Sequence, residues 1–285
     1  MRAIITIGFL LFAWQAAAED LSSAVEGIAR EAQGRVGASA VILETGKTIA
    51  GYHAREQFPM QSVYKLPIAM AAMRAVRLDK VRMSDIITVR VSDYVRAGQH
   101  SPLRDENPKG AEVSFEELVR LAVEESDGSA SDVVLRRIGG PKFVMDYLHR
   151  TGVVDMTVRD TEKRMGADWS VQYANSSSPD AAIAVLRAAS TNRLLMKWMT
   201  ETKTFPTRIK GLLPEGTVVA HKTGSSGARD GMAAATNDIG IVRLPNGRRL
   251  AIAVFVADSK ADDATRDAVI ARIAKAAWDE ATKLP

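Results

Sequence analysis

Ser62 and Lys65 are the first pair of residues in the chain whose types and spacing could do chemistry. They stand three positions apart at the head of the apolar run LPIAMAAMRAVRL, where a helix would make their side chains neighbours. A serine hydroxyl is a weak nucleophile until a base takes its proton, and a lysine shielded from water near other cations can be that base. The alternative is a serine at a helix start beside a solvated lysine. Composition alone produces Ser-x-x-Lys about once in a chain of this length, so the spacing does not choose between the two interpretations.

Two later segments could bring more polar groups to such a serine. Ser126-Asp127 follows the helical pattern SFEELVRLAVEE and, taken alone, is typical of a loop. Lys222, Thr223 and Gly224 lie on a strand pattern with apolar flanks. A lysine on a buried strand is costly unless it meets an anion or a hydrogen-bond partner, and a glycine there lets a ligand approach the backbone. The alternative is an edge strand that its lysine guards against aggregation.

The elements that must position these residues follow from the hydrophobic periodicity. One strand hairpin is predicted over residues 37–53 around Thr45-Gly46, and another turns at Asn246-Gly247. Helices are predicted at 21–33, from Ser62 onward, and at 114–125, 141–150, 179–200 and 262–282. Further strands are predicted in TVVAHKTGSS, MAAATNDIGIVRL and RRLAIAVFVADS, near the end of the chain.

This order of elements predicts a two-lobed α/β or α+β fold. Because early and late strands of one chain commonly join one antiparallel sheet, we expect such a sheet, flanked by the N- and C-terminal helices. The central helices then form an all-helical lobe. The sheet lobe is expected over about 19–60 and 208–285, and the helical lobe over about 61–207. A cleft between lobes is a usual place for a site.

Composition excludes several kinds of site. The 285 residues include no cysteine, which excludes disulfides, thiol catalysis and thiolate metal sites. The four histidines show no metal-ligand spacing, so we expect neither a metal nor another cofactor. ETGKT ends like a phosphate-binding loop, but Val41 stands where that loop needs glycine. The net charge of +4 is scattered in short clusters, and no motif supports nucleic-acid binding.

The first 18 residues have the pattern of a secretory signal peptide. Arg2 gives a positive start, residues 3–14 are apolar but too short to span a bilayer, and Ala16-Ala17-Ala18 is a small-residue cleavage site. We therefore expect a mature chain of residues 19–285 that is periplasmic or secreted and has no membrane span. An uncleaved anchor or a buried helix is the alternative.

Taken in order, these motifs resemble those of the penicillin-recognising serine enzymes. Ser126 lies 64 residues after Ser62, and Lys222 lies 96 residues after Ser126. The resemblance runs from about residue 21 to the end of the chain. Within the family, the size, the exported form and the segment VRDTEKRMGADWSVQYAN are similar to class A serine β-lactamases. Glu162 lies 36 residues after Ser126, where those enzymes carry the glutamate of their Ω-loop.

The resemblance implies hydrolysis of the amide bond of penicillins and cephalosporins through a serine acyl-enzyme, which gives antibiotic resistance. Ser62 would attack the lactam carbonyl, while Lys65, or Glu162 acting through a water, takes the serine proton. Ser126 would pass a proton to the departing nitrogen with Lys222 close by, and Glu162 would activate the water that hydrolyses the acyl-enzyme. The implied partner is a small β-lactam; a monomer without nucleic acid is expected.

The same resemblance implies how the substrate is held. Backbone N–H groups of Ser62 and Ser225 would bind the oxyanion. The substrate carboxylate would be bound along the strand by Lys222, Thr223 and Ser225, beside Gly224.

Two further residues stand at positions that the family uses for substrate. Arg208 lies 14 residues before Lys222, where some members place an arginine that helps to hold the carboxylate, and a planar guanidinium suits a carboxylate bidentately. A surface arginine is the alternative. His100, just before SPL, stands where the family often has an aromatic gatepost.

Four positions depart from the family pattern. Gly128 replaces an asparagine that contacts the substrate side chain, so that contact is either missing or supplied by water. Gly166 replaces an asparagine that helps to hold the hydrolytic water. Asp160 and Asn175 replace the usual arginine and aspartate, so we expect the salt bridge that closes the Ω-loop to be absent and the loop to follow a different path. These changes predict a roomier site that accepts bulky cephalosporins.

Three other hypotheses compete with a β-lactamase. A small D-alanyl-D-alanine carboxypeptidase or transpeptidase would be acylated but would not deacylate quickly, and Glu162 argues against it. A penicillin sensor would bind the drug covalently and signal, but such sensors are usually tethered to a membrane segment and a partner domain. A basic exported binding protein with an inactive site would require the order of the motifs to be coincidence.

Overall fold

Residues 23–284 are described by the structure, which is a computed structural model. The predicted signal peptide, residues 1–18, lies outside the described residues. Between residues 23 and 284, no helix combines the length and the apolar character that crossing a membrane requires.

The described residues form short and long strands and helices. The strands are β1 Arg35–Ile42, β2 Thr48–Tyr52, β3 Phe58–Pro59, β4 Ile86–Val89, β5 Ala111–Ser114, β6 Met156–Thr157, β7 Ser176–Ser177, β8 Val219–Ser225, β9 Ala228–Arg229, β10 Met232–Arg243 and β11 Arg249–Ser259. The helices are α1 at 23–30, α2 Lys65–Arg77, α3 Pro102–Glu106, α4 Phe115–Glu124, α5 Gly128–Ile138, α6 Gly140–Arg150, α7 Glu162–Ala167, α8 Pro179–Ala189, α9 Arg193–Glu201 and α10 Asp263–Thr282.

The main sheet is antiparallel, with the strand order β2-β1-β11-β10-β8 and with β9 paired to β10. Both predicted hairpins are present, and their turns contain Gly46 and Gly247 with φ angles of 71° and 83°. Glycine adopts this left-handed region without a steric penalty. The pairing of β1 with β11 joins the early strands to the late ones, so the prediction of one antiparallel sheet is confirmed.

Strand β11 shows how the sheet divides the core. Its even-numbered residues from Leu250 to Val256 pack in the cluster that α1 and α10 cover. Its odd-numbered residues from Ala251 to Ala257 pack in the cluster that includes the central helices. Successive side chains of a strand face opposite sides of the sheet, so both faces of β11 are buried. The prediction of a two-lobed fold, with terminal helices on the sheet and a large helical part, is confirmed.

Helix α2 runs through the centre of the helical part. Ten of its 13 residues are buried, and it contacts α4, α5 and α6. A helix surrounded in this way is apolar on nearly all sides, which explains the run LPIAMAAM. Its N-terminal end meets β8 through the 3₁₀ turn Gln61–Tyr64, so α2 delivers its first residues to the edge of the sheet.

The helix predicted over 179–200 is two helices, α8 and α9. Asn192 ends the continuity because its Oδ1 accepts hydrogen bonds from the N–H groups of Leu194 and Leu195 at 3.0 and 3.1 Å. An asparagine that caps a helix start interrupts the chain without changing the apolar periodicity. The break lets α8 pack on β1 and β11 while α9 packs on α4 and β8.

Candidate active site

Ser62 lies in the 3₁₀ turn immediately before α2, and Lys65 is the first residue of that helix. Lys65 is only 1% exposed. Its Nζ donates hydrogen bonds to Ser62 Oγ at 2.8 Å and to the main-chain oxygen of Ser126 at 2.7 Å. The interpretation of Lys65 as a solvated surface lysine is therefore wrong, and its amine is in contact with the hydroxyl that it could deprotonate.

Ser126 occupies the loop between α4 and α5, as predicted, and that loop is firmly bonded. The φ of Ser126 is 59°, a left-handed value that residues other than glycine adopt rarely. The next residue, Asp127, is fully buried and accepts the N–H groups of Ala130 at 2.8 Å and Leu103 at 2.7 Å. These bonds hold the loop in which Ser126 has its left-handed conformation. In this position Ser126 Oγ accepts a hydrogen bond from Lys222 Nζ at 2.8 Å.

Lys222 lies on β8 and is 1% exposed. Burial lowers the pKa of its ammonium well below the ordinary value, and the positive charge of Lys65 lowers it further. The negative charge of Glu162 raises the pKa of Lys222, but by less than burial and Lys65 lower it. A lysine with a lowered pKa gives up its proton more readily, and this one is in contact with the Ser126 hydroxyl.

Strand β8 lies directly against the turn that carries Ser62, and Gly224 makes this possible. A Cβ at Gly224 would lie 2.4 Å from the main-chain oxygen of Met60 and 3.1 Å from the nitrogen of Ser62. Two stretches of backbone this close leave no room for a side chain. From β10, Asn237 Nδ2 donates a hydrogen bond to the same Met60 oxygen at 3.1 Å. Ser225, the last residue of β8, is thereby placed beside Ser62.

Glu162 begins α7, and its carboxylate meets the same lysine. Glu162 Oε1 lies 2.9 Å from Lys65 Nζ, and the glutamate side chain is 13% exposed. The N–H groups of Glu162 and Lys163 donate hydrogen bonds to the Asp132 carboxylate at 2.8 and 3.0 Å. Lys65 therefore lies between the hydroxyl of Ser62 and the carboxylate of Glu162, and Asp132 holds the helix start that carries this glutamate.

Ser62 borders two cavities, with volumes of about 270 and 400 Å³. The smaller one is bordered by Lys65 and Glu162, and the larger one by Ser126. The exposed His100 borders both. The larger cavity is also lined by Thr204, Phe205, Thr223, Gly224 and Ser225. This arrangement offers one nucleophile, two lysines, one carboxylate and room for a small ligand, a combination suited to acyl transfer.

Residues 20–281 match the β-lactamase enzyme family. The chain belongs to this family. It is 32% identical to β-lactamase VEB-1 of Pseudomonas aeruginosa over 98% of this chain and 96% of that protein. It is 39% identical to extended-spectrum β-lactamase PER-1 of the same organism over 78% of this chain and 75% of that protein.

Solved structures agree with this assignment. A β-lactamase from Chitinophaga pinensis has a TM-score of 0.87 and 41% identity, covering 90% of this chain and 97% of that one. TLA-1 extended-spectrum β-lactamase has a TM-score of 0.89 and 36% identity, covering 93% and 99%. The protein is a class A serine β-lactamase, which hydrolyses the amide bond of β-lactam antibiotics and so gives resistance to them.

The side-chain amide of Asn175 joins the two ends of the Ω-loop of this β-lactamase. Asn175 is fully buried, and its Oδ1 accepts the N–H groups of Arg159 at 2.7 Å and Asp160 at 2.9 Å. Its Nδ2 donates to the main-chain oxygen of Asp160 at 3.0 Å. The Asp160 carboxylate pairs instead with Arg164, at 2.6 Å. Three hydrogen bonds to the main chain thus join the two ends of the loop, where the family pattern suggested a salt bridge.

Arg208 of the β-lactamase is 3% exposed, so the alternative of a surface arginine is wrong. Its Nε lies 2.7 Å from the Asp267 carboxylate, and its Nη2 donates to Ser225 Oγ at 2.7 Å. Its Nη1 donates to the main-chain oxygen of Gly224 at 3.2 Å. The guanidinium therefore supports the end of β8 from behind and orients the hydroxyl of Ser225.

Gly128 lies at the start of α5, below the loop that carries His100. A Cβ on Gly128 would come within 3.2 Å of the main-chain oxygen of His100 and within 3.4 Å of Glu162 Cγ. Contacts this tight would push on both neighbours. In this β-lactamase, Gly128 therefore lets the Ω-loop and the loop of His100 approach α5 closely.

Asp132 is a residue of this site that sequence analysis missed. Burial, followed by the negative charge of Glu162, raises the pKa of its carboxyl from 3.8 to about 7. The signal in the sequence is one acidic residue within the otherwise small and apolar stretch GSASDVVL. A charge on the buried side of a helix is retained only where it finds partners, here the two N–H groups of the Ω-loop.

We expect Asp132→Asn to flatten the pH dependence of stability. Because the folded pKa of Asp132 is raised to about 7, the folded enzyme binds more protons than the unfolded chain between about pH 4 and 7. The free energy of unfolding of the wild type should therefore fall as the pH rises through that window. In the variant, the fall in the free energy of unfolding across this window should be smaller than in the wild type by about 1–2 kcal/mol.

Urea unfolding of both proteins, at pH values from about 5 to 8, measures that difference in slope. Absolute stability is not the readout, because asparagine offers one oxygen to two N–H groups. A decline of equal size in both proteins would show that Asp132 does not titrate in this range.

Proposed function

We propose that Ser62 is the nucleophile of this β-lactamase and that Lys65 moves its proton. The observation that carries the proposal is the position of Lys65 Nζ, 2.8 Å from Ser62 Oγ and 2.9 Å from Glu162 Oε1. As Ser62 Oγ bonds to the lactam carbonyl carbon, its proton leaves towards the lysine and the carboxylate. The negative charge that develops on the carbonyl oxygen is met by the N–H groups of Ser62 and Ser225.

Ser126 completes the acylation half of the reaction. When the lactam C–N bond breaks, the nitrogen leaves as an amine and needs a proton. Ser126 Oγ donates that proton and recovers one from Lys222 Nζ, which lies 2.8 Å away. The lowered pKa of Lys222 makes its ammonium a readier proton donor. Ser62 then carries the opened β-lactam as an ester.

Glu162 serves the deacylation half. Its carboxylate takes a proton from water, and the resulting hydroxide attacks the ester carbonyl. The ester C–O bond breaks, Ser62 Oγ recovers a proton, and the opened product leaves. The cavity of about 270 Å³ that Ser62 and Glu162 both border provides the space for this water.

The substrate carboxylate binds on the side of the larger cavity, along β8. Thr223 and Ser225 border this cavity and supply two hydroxyl groups, and Lys222 lies behind them with its amine on Ser126 Oγ. Arg208 contributes a buried positive charge and holds Ser225 Oγ at 2.7 Å. Charge-assisted hydrogen bonds of this kind fix the orientation of the lactam carbonyl over Ser62.

The experiment that tests this proposal follows turnover of a chromogenic cephalosporin by absorbance and follows the protein by intact mass. We expect many turnovers per enzyme and a transient adduct of substrate mass that maps to Ser62. Opening of one equivalent of lactam with a stable adduct would instead favour a penicillin-binding peptidase or a sensor, and would contradict the assigned role of Glu162.

We also infer a broad substrate range. Two relatives, PER-1 and TLA-1, are named as extended-spectrum enzymes. The larger cavity, about 400 Å³ and partly apolar through Phe205, gives room for a bulky acyl side chain. The glycines at 128 and 166 are not themselves the source of this room, because neighbouring groups crowd both positions.

The range should appear directly in steady-state kinetics. We expect kcat/KM for a bulky oxyimino-cephalosporin to lie within about tenfold of the value for a small penicillin, a difference of roughly 1.4 kcal/mol in transition-state binding. Strict restriction to penicillins would contradict this expectation.

We further propose that the enzyme works as a monomer, with no nucleic acid, and that it is periplasmic or secreted. Every group assigned to the chemistry comes from one chain, which supports a monomer. The pattern of residues 1–18 supports export. The scattered positive charge supports no nucleic-acid site.

A further inference from the structure

Gly166 leaves a space beside Glu162 that another side chain fills. A Cβ on Gly166 would lie 2.2 Å from Gln99 Cδ, 2.2 Å from its Oε1 and 2.5 Å from its Nε2. Real atoms do not approach so closely, so any larger residue at 166 would displace the Gln99 carboxamide. The two residues lie on different segments, the loop before α3 and helix α7, and both border the smaller cavity with Ser62.

Two main-chain partners hold the Gln99 carboxamide in one orientation. Its Oε1 accepts the N–H of Arg96 at 3.2 Å, and its Nε2 donates to the main-chain oxygen of Glu162 at 2.6 Å. Only the oxygen of an amide can accept from an N–H, and only the nitrogen can donate to a carbonyl, so these partners decide which way the amide faces. Gln99 therefore ties its own loop to the first residue of α7.

Gln99 and Asp132 together hold both peptide groups of Glu162. The Glu162 N–H binds the Asp132 carboxylate at 2.8 Å, and the Glu162 carbonyl binds Gln99 at 2.6 Å. The carboxylate of Glu162 itself lies 2.9 Å from Lys65 Nζ. A general base must keep its geometry closely, since a displacement of about 1 Å can cost on the order of a hundredfold in rate.

We propose that Gln99 is a positioning residue for deacylation. Its carboxamide, admitted by the missing side chain of Gly166, sets the main chain of Glu162 and so directs the carboxylate towards the attacking water. Gln99 and Gly166 act as a matched pair, because Gln99 can bond to the Glu162 carbonyl only if residue 166 has no side chain. This inference rests on the proposed role of Glu162 as the deacylation base.

The test compares Gln99→Ala, Gly166→Ala and the double variant in single-turnover experiments that measure acylation and deacylation separately. We expect each single variant to lower the deacylation rate constant by about 10- to 100-fold. Acylation should change less, within about threefold, since Lys65 still contacts Ser62. The double variant should be no slower than either single variant, because both changes remove the same hydrogen bond.

Two more variants separate the hydrogen bond from simple filling of space. Gln99→Glu keeps the size but cannot donate to the Glu162 carbonyl when ionised, so it should deacylate as slowly as Gln99→Ala. Gln57→Ala is the matched control, because Gln57 Nε2 also donates to a main-chain oxygen, that of Asp155 at 3.1 Å, in a part of the chain away from the cavities. It should change thermal stability at most.

Wild-type deacylation in Gln99→Ala or in Gln99→Glu would overturn the inference. So would effects of Gln99→Ala and Gly166→Ala that multiply in the double variant, because the two residues would then act independently. A loss of stability with equal slowing of both chemical steps would show a merely structural role. If the wild type itself forms a stable adduct, the proposed function fails, and that result is seen before any variant is made.

Discussion

Glu162→Gln should convert the enzyme into a trap that accumulates its own acyl-enzyme. Glutamine has nearly the shape of glutamate but cannot take a proton from water, so deacylation should fall about 10³-fold. Ser62 and Lys65 keep their contact of 2.8 Å, so the first half of the reaction continues. Intact mass after mixing with a chromogenic cephalosporin should show nearly all of the protein carrying one adduct, and absorbance should show one equivalent of lactam ring opened.

The control for this experiment is Glu117→Gln. Glu117 lies on α4 and pairs with Arg120 at 2.7 Å, so the change also removes one carboxylate from an ion pair, but on the surface. It should turn over like the wild type. Continued rapid turnover by Glu162→Gln would exclude Glu162 as the base.

The acylation rate of Glu162→Gln also separates the two candidates for the first proton transfer. An acylation rate like that of the wild type would assign the Ser62 proton to Lys65. Acylation that slows as much as deacylation would assign it to Glu162 acting through water.

Lys65→Met should give the opposite outcome, an enzyme that never becomes acylated. The change removes the amine 2.8 Å from Ser62 Oγ and leaves the hydroxyl without a base in contact. The acylation rate should fall by about 10³-fold or more, and intact mass should show unmodified protein. Glu162 loses its cation at 2.9 Å, so we also expect a loss of roughly 3 kcal/mol in the free energy of unfolding.

Lys142→Met is the control for that variant. Lys142 and Asp146 form a lysine–carboxylate pair at 2.8 Å on the exposed side of α6. Because surface pairs contribute little, this change should leave both rates and stability close to the wild type. Stopped-flow absorbance and urea unfolding measure the two effects of Lys65→Met separately. Fast formation of an adduct by Lys65→Met would contradict the role of this lysine.

Much of the fold could be predicted because it depends on local patterns. The alternation of apolar residues and the Asn246-Gly247 turn are properties of neighbouring residues, and they correctly predicted the hairpin of β10 and β11. The same periodicity could not reveal the break between α8 and α9, because Asn192 caps the start of α9 without disturbing the apolar spacing.

The sequence by itself determined the family and the order of the reactive residues. Ser62 and Lys65 could be paired because a helix makes positions three apart into neighbours, which is a local rule. Their distances along the chain to Ser126, Lys222 and Glu162 carried the rest of the resemblance. Chain distances do not say which side chains touch, so the contacts of Lys65 with Ser126 and Glu162 were beyond reach.

Only the tertiary structure decided how Glu162, the proposed deacylation base, is held. Gln99 and Asp132 reach Glu162 from segments 63 and 30 residues away, and Arg208 is buried behind β8 rather than on the surface. Gly166 looked like a loss when compared with the family pattern, and it is the space that Gln99 fills. Such bonds join segments distant in the chain, and they depend on packing that places two backbones within a few ångströms of each other. The pattern of one sequence records local preferences, and those preferences do not specify such distances.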